Sequence, residues 1–115
     1  KYYKAFEDFP VTTPWQDPKC YSSFHLYVLR IDGKKYKHKE IFSDLRASGI
    51  GVNLHYIPVY RHPFYKKFKF DINDFPMAEE YYSEAISIPI YYKLSSKDQN
   101  TVIEVVKKCI NSNLK

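Results

Sequence analysis

Phe24-His25-Leu26-Tyr27-Val28-Leu29-Arg30-Ile31 is the stretch on which the fold turns. It is rich in β-branched, aromatic and aliphatic side chains and is bounded by Ser23 on one side and Asp32-Gly33 on the other, so it reads as a mostly buried strand. A buried strand needs a cover, and the end of the chain offers one. Val102, Ile103, Val106, Cys109 and Ile110 fall at i, i+1, i+4, i+7 and i+8, which makes one apolar stripe on a helix. Ser95 and Ser96 stand where N-caps belong, and Ser96 with Gln99 has capping-box spacing. Lys107 and Lys108 lie toward the C-terminal end, where cations favour the helix dipole.

The rest of the chain fills in around this pair. Lys37 to Ser48 places Ile41, Phe42 and Leu45 on one helical face, with Gly49 behind them as a cap free to take positive φ. Gly51 to Ile57 reads as a second strand stopped by Pro58. Ile86-Ser87-Ile88-Pro89-Ile90 is a short extended segment whose proline argues for an edge or a strand end. Phe75 to Ala85 is expected to be helical, with Asp74 as cap and Pro76 in the first turn, and Arg61 to Phe68 a short helix opened by Pro63. Tyr2, Tyr3, Phe6 and Phe9 recur at helical spacing before Pro10, which suggests the tail of a helix over residues 1–9 that began upstream. Pro10, Pro14 and Pro18 make residues 10–21 a connector. The expected class is α+β, a small sheet covered by two or three helices.

Composition bounds the function. The 115 residues suit one domain. No apolar run reaches the roughly 20 residues of a membrane span, and three glycines exclude a glycine-rich phosphate loop. Four scattered histidines with Cys20 and Cys109 show no metal-ligand spacing, and no serine is flanked as a hydrolase nucleophile. The chain opens at Lys1 without a Met, so it is expected to be part of something larger. The net charge of +5 gathers in runs at Lys34, Lys35, Lys37 and Lys39 and at Lys66, Lys67 and Lys69. With 12 Tyr and 8 Phe, those runs admit two readings: solubilising cations on an aromatic-rich surface, or a free-standing module that stacks single-stranded nucleic acid.

Chemistry concentrates between Asn53 and Tyr65, which holds His55 and His62, Tyr56, Tyr60 and Tyr65, and Arg61. His55 and His62 can act as bases or donors near neutral pH, or serve as hydrogen-bonded structural residues. As strand neighbours, His55 and Tyr56 should point to opposite faces. His25 is expected to be packed inside the first strand, His38 exposed among lysines, Cys20 and Cys109 inert, and Glu79-Glu80 occupied with the helix dipole.

Four blocks, in order, resemble the DegT-type aminotransferases, pyridoxal-phosphate enzymes of fold type I that aminate nucleotide-linked keto-sugars. Phe24-His25-Leu26-Tyr27-Val28 is similar to the family's S-x-H-L-Y-V strand. The run from Gly49 through His55-Tyr56-Ile57-Pro58 to Val59 is similar to G-I-G-V-x-x-H-Y-I-P-V. Asp74-Phe75-Pro76-Met77-Ala78-Glu79 resembles D-F-P-x-A-E, and Ala85-Ile86-Ser87-Ile88-Pro89-Ile90-Tyr91 resembles A-x-S-L-P-L-Y. The helix after Leu94-Ser95, with its Val-Ile-x-x-Val pattern, completes the likeness. The wording of the second block is similar to a subgroup of the pseudaminic acid pathway.

The resemblance implies that residues 1–115 are the C-terminal small domain of such an enzyme, with a mostly antiparallel sheet, and that residues 1–9 end a linker helix. It implies a parent transferring an amino group from glutamate to C4 of a UDP-linked 4-keto-6-deoxy-N-acetylhexosamine for surface glycans. That parent would be a cytoplasmic homodimer, without nucleic-acid or membrane partners. The Schiff-base lysine and most cofactor contacts would lie in a larger N-terminal domain, so this chain alone should hold no pyridoxal phosphate, no catalytic residue and no metal. His55 and Tyr56, with Tyr60 nearby, become the implied substrate-binding residues. Tyr60 stands where many members carry a second His, and Tyr92-Lys93 replace a Pro-Gly-like turn. Relatives with His for the lysine are sugar dehydratases, an alternative that the resemblance leaves open. The rings at Tyr2, Tyr3, Phe6 and Phe9 are expected to lie against the larger domain.

Overall fold

A computed structural model describes residues 1–115. The order is α1 (Tyr2–Phe6), β1 (Tyr27–Arg30), α2 (His38–Ala47), three 3-10 turns (Val59–Arg61, Pro63–Phe68, Ile72–Asp74), α3 (Pro76–Glu84), β2 (Ala85–Ile88) and α4 (Ser96–Ser112). The architecture is α+β. β1 and β2 pair antiparallel, with Tyr27 opposite Ile88 and Arg30 opposite Ala85.

Two single bridges widen this ribbon. Thr12 joins the outer edge of β1 through Arg30, and Asn53 joins the free edge of β2 through Ser87. β2 is therefore the central strand, and all four of its residues are buried. The expected edge position is corrected, whereas the strand-end reading of Pro89 holds: the proline lies one residue past Ile88, where no ladder donor is needed. The expected strand over Gly51–Ile57 shrinks to the bridge at Asn53. Asn53 N–H donates to Ser87 O at 3.1 Å and Ser87 N–H to Asn53 O at 2.8 Å.

β1 starts later than its hydrophobic run suggested. Phe24 takes a left-handed φ of 46°, so the chain enters the strand through a corner. His25, expected inside the strand, lies before it and is exposed. Tyr27, Leu29 and Ile31 alternate into the core.

The helices cover this sheet as the apolar stripes require. α4 buries Val102, Val106, Cys109 and Ile110, and α2 buries Ile41 and Leu45. The serine cap of α4 falls one residue earlier than the Ser96–Gln99 spacing indicated. Ser95 Oγ accepts from Asp98 N–H at 3.0 Å and donates to the Asp98 carboxylate at 2.6 Å. α2 ends in a Schellman motif: Gly49 N–H donates to Arg46 O, Ile50 N–H to Leu45 O, and Gly49 has φ 80°. Asn113 ties the two helices, donating to Asp44 Oδ2 at 2.8 Å and to Cys109 O at 2.9 Å. α3 departs from expectation at its start. Its N-cap is Phe75 without a side-chain bond, because Asp74 is taken up by the preceding 3-10 turn, which Asp71 caps.

The N-terminal rings are likewise redistributed. Tyr2 and Phe6 are 2% and 1% exposed within this chain's own core, and only Tyr3 of the helix stands out at 60%. Tyr2 donates to Pro89 O at 2.7 Å, and burial, with Tyr91 and Tyr27 adding to it, pushes its phenol up to about 12. No helix is long and apolar enough to cross a membrane. α3 runs straight into β2, since Glu84 ends the helix and Ala85 opens the strand.

Candidate functional site

The His55 region is built outward from the central strand. Because Asn53 is bridged to Ser87, the chain leaves the sheet with those two side chains beside each other. His55 then folds back: its Nδ1 lies 2.8 Å from the Ser87 hydroxyl, and its Nε2 lies 3.4 Å from Asn53 Nδ2. Tyr56 is 69% exposed and its ring meets the His55 ring edge-on at 4.7 Å. The expected split to opposite faces fails for a simple reason. Pairing has ended at Asn53, so strand alternation no longer governs residues 55 and 56. The peptide between them is cis.

Tyr60 is held elsewhere, by a polar clamp. Its hydroxyl donates to Glu79 Oε1 at 2.7 Å, and its ring stacks on Phe75 at 4.3 Å. Arg61 Nε donates to the same Glu79 at 2.9 Å and its guanidinium makes a second bond to the other carboxylate oxygen. The Arg61 head also lies 5.2 Å over the Tyr82 ring. Arg61, and then Tyr60, hold the Glu79 carboxyl below its ordinary range. Desolvation, then Glu79, hold the Tyr60 phenol above its own. Helix-dipole placement is thus not the whole account of Glu79. The pairing joins residues 18 apart in sequence, and only the tertiary fold reveals it.

Two other histidines contact backbone carbonyls. His62 Nε2 contacts the Ile57 carbonyl at 3.2 Å. His38, expected to be exposed, is half-buried at the start of α2, with Nε2 3.1 Å from Ala85 O. Burial holds its imidazole below the ordinary value, against the Ala85 carbonyl and Glu84. Burial raises the Cys109 thiol, which leaves it a weak nucleophile. A concavity of about 1330 Å³ lies between α2 and α3 and is walled by Lys37, His38, Arg61, Met77, Glu79 and Glu84. His55, Tyr56 and Tyr60 are not in its lining, and its Arg61 is already neutralised by Glu79.

Sequence reasoning singled out His55, Tyr56 and Tyr60 as candidates but not Asn53 and Ser87, which contact the imidazole. Ser87 carried one usable signal, as a hydroxyl inside an otherwise apolar strand.

Comparison with known proteins gives this arrangement a context. The family model described as the DegT/DnrJ/EryC1/StrS aminotransferase family matches residues 1–107. The spore coat polysaccharide biosynthesis protein SpsC of Bacillus subtilis is 36% identical over 96% of this chain and 30% of its own length. The UDP-4-amino-4,6-dideoxy-N-acetyl-beta-L-altrosamine transaminase of Campylobacter jejuni is 36% identical over 93% of this chain and 31% of its own. Helicobacter pylori PseC, an aminotransferase involved in the biosynthesis of pseudoaminic acid, superimposes with a TM-score of 0.83 at 27% identity, over 96% of this chain and 30% of that one. The PLP form of Spr1654 from Streptococcus pneumoniae gives 0.88 at 27% identity, over 96% of this chain and 29% of that one. The chain therefore spans about 30% of the length of the curated relatives it matches.

Proposed function

Because this chain belongs to the DegT/DnrJ/EryC1/StrS aminotransferase family, we propose that residues 1–115 form the C-terminal small domain of a pyridoxal-phosphate-dependent sugar aminotransferase. A larger domain, entered through residues 1–9, carries the cofactor. The reaction we assign is transfer of an amino group from glutamate to C4 of a UDP-linked 4-keto-6-deoxy-N-acetylhexosamine, feeding a surface glycan in the cytoplasm of the producing cell. The names of the Campylobacter transaminase and of the spore coat protein support that choice of substrate and product. Family membership favours this enzymatic reading over a free-standing nucleic-acid module, and the lysine runs then serve solubility.

One observation carries the role of this chain. His55 is braced on the central strand through the Ser87 hydroxyl at 2.8 Å, while Tyr56 beside it is open to a ligand. A braced imidazole next to an accessible phenol suits recognition of a sugar nucleotide, with hydrogen bonds from fixed groups and a ring face for stacking. Tyr60 gives its proton to Glu79, and its phenolic oxygen can still accept from the same substrate.

Pyridoxal phosphate, when bound, supplies the electron sink and carries the amino group. None of the groups bonded to His55 is an amine, so none of them can form the imine that holds the cofactor covalently. The donor set here fits the substrate side of a cleft. In the intact enzyme, His55→Ala is expected to lower kcat/KM for the keto-sugar about tenfold, the effect of one hydrogen bond, with cofactor absorbance per protomer retained. Unchanged sugar kinetics would reject the role.

A further inference from the structure

The bridge that closes the sheet also fixes the proton on His55. Leu54 N–H donates to Asn53 Oδ1 at 2.8 Å, and only an oxygen can accept there. That bond settles which end of the Asn53 carboxamide is which. The opposite end, Nδ2, is a pure donor, and it is the atom facing His55 Nε2 at 3.4 Å. A protonated Nε2 would set two N–H groups against each other. Nε2 must therefore offer its lone pair, which leaves the proton of the neutral ring on Nδ1. There it meets the Ser87 hydroxyl at 2.8 Å, which accepts it. Ser87 is 5% exposed on the central strand, and its backbone is bridged to Asn53, which keeps the two side chains side by side.

We infer that Asn53 and Ser87 are positioning residues that hold neutral His55 as the Nδ1–H tautomer, so that Nε2 acts as a hydrogen-bond acceptor toward the ligand. This rests on the substrate-contact reading above and narrows it. The matching ligand group is a donor, a sugar hydroxyl or the N–H of the acetamido substituent, rather than a phosphate or keto oxygen. The 3.4 Å contact with Asn53 is long, so a ligand donor displaces it readily.

Nitrogen-15 NMR of the intact protein with labelled histidine, above the pH range in which imidazole titrates, tests the assignment. His55 Nδ1 is expected to resonate as the protonated, pyrrole-type nitrogen and Nε2 as the pyridine-type one. Asn53 is exposed, and Asn53→Asp keeps the acceptor for Leu54 while placing an oxygen before Nε2. That variant should exchange the two signals. Ser87→Ala should depopulate the Nδ1–H form and raise KM for the keto-sugar about tenfold, with kcat and cofactor absorbance held and Ser87→Thr restoring both the tautomer and KM. A pyrrole-type Nε2 in the unmodified protein overturns the inference, as does an Asn53→Asp spectrum that does not change. The spectra need no turnover, so the two readings fail separately. Correct tautomers with sugar kinetics indifferent to His55→Ala would sink the substrate contact alone.

Discussion

The two halves of this domain are held together by different physics. Around β2, burial does the work: Leu29, Ile31, Ile41, Leu45, Ile86, Val106 and Ile110 are each 1% exposed or less. From Ile57 to Glu84, by contrast, no residue is fully buried. That stretch is three 3-10 turns and α3, organised by the Glu79 clamp and by face-to-face rings such as Tyr60 on Phe75. Non-directional burial makes one half cooperative. Directional, partly solvated contacts make the other half responsive to solvent and charge.

The sharpest way to break the first half is Ile86→Ala. It removes a fully buried side chain from the central strand, and unfolding by denaturant should show a loss of about 2–5 kcal/mol. A smaller global effect should come from Ser95→Ala, which deletes the one side-chain cap of α4. The same experiment should register about 1 kcal/mol, because the cap feeds a helix whose stripe is part of the core. The weakest effect belongs to the clamp and should remain local. The folded carboxyl of Glu79 lies below its unfolded value, so its contribution is present above the ordinary carboxyl range and is lost as pH falls through the folded value. Hydrogen exchange, relative to the intrinsic rate at each pH, should then quicken at residues 59–61 as pH falls below the ordinary carboxyl range, while the β1–β2 amides stay protected. Simultaneous loss of both would show that the two halves are one cooperative unit.

The same division governs what could be read from the residues alone. The α4 stripe and the Schellman end of α2 were legible, because a helical period and one glycine are local signals. The central place of β2 was not. Pro89 argues against a middle strand, and only the bridge at Asn53 shows that Ser87 is paired on both sides. Phe24 hid the true start of β1, since nothing in a phenylalanine announces a left-handed turn. At the site, residue types marked the stretch from Asn53 to Tyr65, and the family resemblance narrowed it to His55, Tyr56 and Tyr60. Their partners Ser87 and Glu79 lie 32 and 19 residues away and belong to other elements, so local pattern does not show the pairing, even where Ser87 stands out as a hydroxyl in an apolar strand.

The direct junction of α3 and β2 sets a limit on length. Ser87 sits three residues past Glu84 with no loop to absorb a change in the count. One residue inserted there and carried into the strand would turn Ser87 to the opposite face of the sheet, and one deleted would do the same. Substitution can tune the surroundings of His55, but the spacing from Glu79 through Glu84 to Ser87 has no slack. Between His55 and Ser87, a change in chain length is absorbed most easily in the turns before α3, where the backbone runs over the surface and an added residue displaces no hydroxyl from its imidazole.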